Sequence, residues 1–174
     1  ADAKLALQQI NAAVSERPET PWWQANVANV ANWRDYLAML ENKQFGNLQA
    51  YQVLKAVNDI AEDNAIFSID VGDINLNANR DLQLTPKNQH FTSNLFATMG
   101  VGIPGAIAAK LDFPNRQVFN LAGDGGASMT MQDLVTQVQY HLPAINVIFS
   151  NQQYGFIKDE QEDTNQNDYI GVEF

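Results

Sequence analysis

The sequence predicts an α/β protein with an open, mostly parallel sheet and helices on both faces. Three short apolar runs carry that prediction. Residues 65–71 (AIFSIDV) lead into Gly72-Asp73, residues 117–122 (QVFNLA) into Gly123-Asp124-Gly125-Gly126, and residues 145–150 (INVIFS) into Asn151. Runs this short, apolar at most positions and closed by small or polar residues, suit strands buried on both faces. Helical spacing lies between them, over 103–111 and again at Met131, Leu134, Val135, Val138 and Leu142.

The elements follow in order. Ala3, Leu7, Ile10 and Val14 recur at helical spacing over 2–16, and Arg17-Pro18 ends that helix. Pro18-Glu19-Thr20-Pro21 reads as a linker. Trp23, Val27, Val30, Leu37 and Leu40 form an apolar stripe on a long helix over roughly 22–42, and Tyr51, Leu54, Val57, Ile60 and Ala61 mark another over about 47–62. The strand-rich part then begins. Trp22, Trp23 and Trp33 are expected in the core or at a subunit contact. His90 and His141 are expected to be structural, with His141 in the last turn of a helix, where a cation is favourable.

Composition narrows the function. The chain has 174 residues, 45% of them hydrophobic and 17% charged, enough to fill a core. Ten basic against twenty acidic residues give a net charge of -10, which argues against a nucleic-acid-binding surface. An anionic ligand would need local devices: a metal ion, backbone N–H groups or a helix N-terminus. No apolar run reaches the ~20 residues that cross a bilayer, and residues 1–19 lack the order of a signal peptide. The expected location is therefore cytoplasmic, with no membrane partner. The absence of cysteine removes disulfides, thiolate metal sites and thiol nucleophiles. A chain that opens on Ala1 and closes on Phe174 is expected to be a piece of something longer.

In such a sheet, ligands sit beyond the carboxyl ends of the strands. Asp124 stands at one strand tip, and Asn151, 27 residues on, at the next. A carboxylate and an amide oxygen from neighbouring tips, with a nearby carbonyl, are hard ligands suited to magnesium or calcium. Glycines after Asp124 let an oxygen-rich ligand approach the backbone. A helix is expected to start near Ser128 or Thr130, with Thr130 and Asp133 as its cap. A magnesium-bridged phosphate or diphosphate follows from this chemistry, and an ordinary strand-to-helix turn is the plain alternative. Ser128 occupies the third glycine position of the dinucleotide fingerprint, which disfavours a dinucleotide fold.

Gly123-Asp124-Gly125, followed about 25 residues later by an Asn at a strand end, resembles the thiamine diphosphate-binding motif. The apolar strand before it, the helix within it and Asn151-Gln152-Gln153-Tyr154-Gly155 after it complete the pattern. Ala97-Thr98-Met99-Gly100 and Asp70-Val71-Gly72 resemble segments that meet the cofactor in these enzymes. Within the family, Gly123–Asp133 and Tyr154–Asp163 are close to the phosphate-dependent pyruvate oxidases.

The resemblance implies the thiamine diphosphate-binding fold over 45–174, incomplete at its C-terminus. It implies a connecting helix over 21–44 and, over 1–20, the tail of a central flavin-binding domain. Asp124 and Asn151 would hold Mg2+ through side chains and Gln153 through its carbonyl. Gly125, Gly126 and Ala127 would offer N–H groups to the diphosphate, and Tyr154 and Gly155 would complete the loop. Val71 would meet the aminopyrimidine, Ala97 would accept from it and Met99 would wedge the cofactor. Phe156 and Ile157 would line the path to FAD, and Glu160 would face the substrate. The implied reaction is oxidative decarboxylation of pyruvate with phosphate and dioxygen to acetyl phosphate, carbon dioxide and hydrogen peroxide. The implied assembly is a homo-oligomer, a tetramer, with active sites between subunits and the remaining domains supplied by the rest of the enzyme. Alternatives are a 2-oxo acid decarboxylase, an acetolactate synthase, a quinone-linked dehydrogenase or a non-catalytic magnesium–phosphate-binding module.

Overall fold

The computed structural model describes residues 2–44, 46–165 and 169–173. The expected domain limits at Ala1, Phe45 and Phe174 lie outside the described residues. The chain forms two compact units, Ala1–Met39 and Leu40–Phe174.

The first unit is helical. Helix α1 (Ala3–Ala13) is capped by Asp2, whose carboxylate accepts the Leu5 N–H at 3.1 Å. It stops earlier than the apolar spacing predicts. Helix α2 runs from Pro21 to Asn42, with proline at the first helical position where its missing N–H costs nothing. The apolar stripe on it is largely exposed: Trp23, Val27 and Val30 all lie open, as does Trp22, and Leu37 is the buried residue of this helix. Of the two places expected for Trp22 and Trp23, the core is excluded by this exposure, and the subunit contact remains the expectation.

The second unit is a four-stranded sheet of order β2-β1-β3-β4, parallel throughout. The strands are β1 (Ile66–Ile69), β2 (Gln89–Phe91), β3 (Val118–Gly123) and β4 (Ile145–Phe149). Side chains alternate across it. Phe67, Ile69, Phe119 and Leu121 point to a face covered by α3 (Ala50–Ile60) and α4 (Asp73–Asp81). There the rings of Phe67 and Phe119 stack at 5.3 Å. Ile66 and Val118 point the other way, onto Ala106 and Ala109 of α5 (Gly102–Asp112), and Ile103 of that helix meets Ala122 and Ala127. Both faces are covered, which is why β1 and β3 read as almost unbroken apolar runs.

Two further elements differ from expectation. The glycine-rich turn after β3 is already helical: α6 spans Asp124–Thr130, capped by Gly123, and a 3-10 turn (Met131–Asp133) leads into α7 (Leu134–Gln139). Thr130 does not cap a helix; its hydroxyl donates to the Gly100 carbonyl at 2.9 Å. His141 lies beyond the end of α7 with φ 52, so it is not in a helical last turn. Helix α8 (Gly155–Asn165) follows β4.

Candidate active site

The strand order reverses between β1 and β3, since the chain leaves β1 for one neighbour, β2, and later returns to the other side. A crevice opens at such a switch point, beyond the strand tips. A cleft of about 610 Å³ occupies it here. Its walls hold Val71 from the β1 tip, Ala97 and Met99 from the loop before α5, Asp124, Gly125 and Gly126 from α6, Asn151, Gln153 and Tyr154 from the loop after β4, and Gly155 at the start of α8. Phe156, Ile157 and Glu160 of α8 complete it. Ala127 is the exception among the residues singled out in the sequence. It is 7% exposed and packs against Ile103 and Ala122. As the fourth residue of α6, its N–H falls in the first intrahelical bond, back to Gly123.

Sheet register sets the oxygen-bearing side chains expected to hold a cation side by side. Gly123 pairs with Phe149, so Asp124 and Ser150-Asn151 leave adjacent strands together. The Asp124 carboxylate organises this corner. One oxygen accepts the Gly125 N–H at 2.9 Å, and the other accepts the Ser150 hydroxyl at 2.9 Å and the Gln152 N–H at 2.7 Å. Asn151 accepts the Gln153 N–H on its side-chain oxygen at 3.1 Å, an Asx-type turn that folds the loop after β4 back on itself. Gln152 adopts φ 58 and Ala97 φ 48, left-handed values that non-glycine residues rarely take and that concentrate at ligand sites.

Close packing explains the paired glycines. A Cβ on Gly125 would lie 2.6 Å from the Tyr154 ring and 3.5 Å from the Met99 methyl, and one on Gly126 would lie 2.9 Å from the Asp70 carboxyl carbon. Asp70 itself is wholly buried. It accepts N–H groups from Val71 at 2.7 Å, Gly100 at 2.8 Å and Gly102 at 3.1 Å. That carboxylate ties the β1 tip to the loop of Ala97 and Met99, and faces the N-terminus of α5, where an anion is favoured.

Sequence reasoning missed Asp73, which also lines the cleft as the first residue of α4. Burial, and after it the Asp159 carboxylate, raise its pKa above the ordinary value. The acid directly after the Gly72 strand end was the available signal. It missed Leu48, Gln49, Ala50 and Val53 as well, which reach the cleft from the α3 end and carry no local pattern that marks a site.

The donors suit a hard cation. Among the described residues no group of three or more His, Cys, Asp or Glu could hold a metal. An ion at Asp124 would thus have one carboxylate with amide and carbonyl oxygens, and would need ligand oxygens to complete its shell, as magnesium bound with a phosphate ligand does.

Comparison with known proteins agrees with this geometry. Residues 70–174 match the family model described as thiamine pyrophosphate enzyme, C-terminal TPP binding domain. The chain is 80% identical over all 174 residues to pyruvate oxidase of Lactiplantibacillus plantarum, spanning 29% of that protein. It is 34% identical over 169 residues, 97% of the chain and 29% of the relative, to a putative thiamine pyrophosphate-containing protein, YdaP, of Bacillus subtilis. The solved thiamine diphosphate-dependent 4-hydroxybenzoylformate decarboxylase of Rhodococcus jostii RHA1 superposes with TM-score 0.69 at 25% identity, over 75% of this chain and 25% of that one.

Proposed function

The chain belongs to the thiamine pyrophosphate enzymes, carrying their C-terminal binding domain, and from that premise we propose that the whole protein oxidatively decarboxylates pyruvate. Phosphate takes the acetyl group and dioxygen the two electrons, giving acetyl phosphate, carbon dioxide and hydrogen peroxide. The observation that carries the reading is the convergence of Asp124, Asn151 and Gln153 on one cleft with Phe156, Ile157 and Glu160. The 80% identity to a pyruvate oxidase supports this choice of reaction over a non-oxidative one.

In this reading Asp124, Asn151 and the Gln153 carbonyl hold Mg2+, and the Gly125 and Gly126 end of α6 receives the diphosphate at its positive pole. Bound thiamine diphosphate supplies the electron sink that decarboxylation of a 2-oxo acid requires. Met99 and Val71 orient it from the β1 side, with the Ala97 carbonyl as acceptor. Phe156 and Ile157, 42% and 43% exposed, would offer an apolar edge to the path between thiamine diphosphate and FAD. Glu160 faces the substrate end and stabilises charge there. Residues 1–20 are the tail of the flavin-binding domain, 21–44 a connecting helix and 45–174 the diphosphate domain. A tetramer with sites between subunits supplies the remaining contacts.

The test is peroxide release by the full-length enzyme with pyruvate, with and without phosphate. Phosphate-dependent peroxide and a flavin absorption spectrum are expected; acetaldehyde or acetolactate without peroxide overturns the oxidase reading. The metal assignment is tested separately by Asp124→Ala, which removes the one anionic ligand. It is expected to abolish magnesium-dependent binding of thiamine diphosphate, and normal binding by the variant would refute the assignment.

A further inference from the structure

The loop that carries Asn151, Gln153 and Tyr154 is fastened from behind by residues 169–173. The Tyr154 N–H donates to the Val172 carbonyl at 2.8 Å, and Gln153 forms an antiparallel bridge with Glu173. Val172 is 3% exposed, so the fastening is anchored in the interior. This returning segment is itself gripped by one side chain of α8. The Gln161 amide donates to the Ile170 carbonyl at 3.0 Å and accepts the Ile170 N–H at 2.8 Å, so that it pairs with one residue's backbone as a strand neighbour would. Two lesser contacts run parallel to it: the Tyr169 hydroxyl donates to Glu162, and the Lys158 ammonium lies 4.9 Å over the Tyr169 ring. Lys158 also donates to the Gln153 side chain at 3.2 Å.

We propose that Gln161 is a positioning residue for the cofactor site: its paired amide clamps residues 169–173, and they fix the 151–155 loop in its ligand-bearing shape. The inference rests on the reading of the cleft given above and extends it to the residue that follows Glu160, the cleft's last lining residue on α8. Two features support this role. Only a side chain with a donor and an acceptor on one carbon can satisfy both groups of Ile170 at once. The loop it serves is also costly to hold, because Gln152 sits at φ 58. Without a fastening the loop would spend time in relaxed shapes, and the apparent cofactor affinity would fall by the fraction still competent.

The experiment uses the full-length apo-enzyme, titrated calorimetrically with thiamine diphosphate at saturating magnesium, together with hydrogen exchange at the Tyr154 amide. Gln161→Met keeps the volume and loses both bonds. It is expected to weaken cofactor binding about tenfold, equivalent to about 1.4 kcal/mol, and to speed Tyr154 exchange by a similar factor at a temperature where the variant is folded. Val172→Ala loosens the other end of the same segment and is expected to act alike. The double variant is expected to be no weaker than the poorer single variant within about twofold, because both changes release one clamp. A merely structural role would lower thermal stability without this coupling in affinity. Wild-type affinity and Tyr154 protection in Gln161→Met, or losses that simply add, overturn the inference while leaving the site reading intact. A wild-type enzyme that does not bind thiamine diphosphate with magnesium overturns the site reading, and the inference with it.

Discussion

Asp70→Asn is the most demanding test of how the cleft is built. The native carboxylate is buried with 0% exposure and accepts three N–H groups, two on one oxygen (Val71, Gly100) and one on the other (Gly102). An asparagine can place its oxygen toward Val71 and Gly100, but its NH2 then opposes the Gly102 N–H, donor against donor. One charge-assisted bond disappears, worth about 1.5–3 kcal/mol, and the other two weaken as the acceptor loses its charge. Relief from burying a charge with no cation among these three bonds offsets part of this. A net local loss of about 3 kcal/mol remains, which is a large part of the roughly 5–15 kcal/mol that stabilises a domain. Hydrogen exchange on the full-length enzyme reads it directly. Protection of the Gly100 and Gly102 amides is expected to fall about a hundredfold. Less than a threefold change, or greater protection, would show that charge burial outweighs the bonds and would refute this account of the Met99 loop.

Two further outcomes follow from the same packing. Gly125→Ala forces the Tyr154 ring to move from the 2.6 Å contact a Cβ would make. It is expected to cost about 1–3 kcal/mol by overpacking and to weaken cofactor binding, checked by thermal melts and titration. Asp81→Asn concerns a buried carboxyl at the last residue of α4, with one oxygen lacking a partner. Burial raises its pKa above the ordinary value, against the lowering effect of Arg80. The folded state therefore binds its proton more tightly than the unfolded chain, and stability is lost as pH rises through the folded pKa. The variant is expected to gain about 0.5–1 kcal/mol near pH 7, from relief of a buried negative charge with one unpartnered oxygen. The gain should vanish below about pH 4, where the unfolded carboxyl is protonated too. A gain independent of pH in denaturant melts would count against the electrostatic cause.

The parts of this molecule visible in its sequence are those whose physics is local or periodic. Buried parallel strands must be apolar on both faces, so 65–71 and 117–122 announced β1 and β3; the run 145–150 announced β4 by the same apolar texture, although that edge strand is buried at none of its positions, and the small polar residues after all three marked the strand tips. Chemistry at those tips is restricted to a few residue types, which is why Asp124, Asn151 and the glycines stand out in the sequence itself. Helix α4, DINLNANRD, escaped notice because it is mostly polar and turns only Ile74 and Ala78 of its apolar residues inward. Strand β2 is three exposed residues at a sheet edge, too short for any alternation to register.

Tertiary structure alone decided three things. It seated α6 directly on Asp124, because Tyr154 and Asp70, distant in sequence, pack against the two glycines. It turned Ala127 from the cleft into the core beside Ile103. It brought residues 169–173 back onto the 151–155 loop. Each depends on contacts between segments far apart along the chain, and such contacts leave no period or motif in a single sequence.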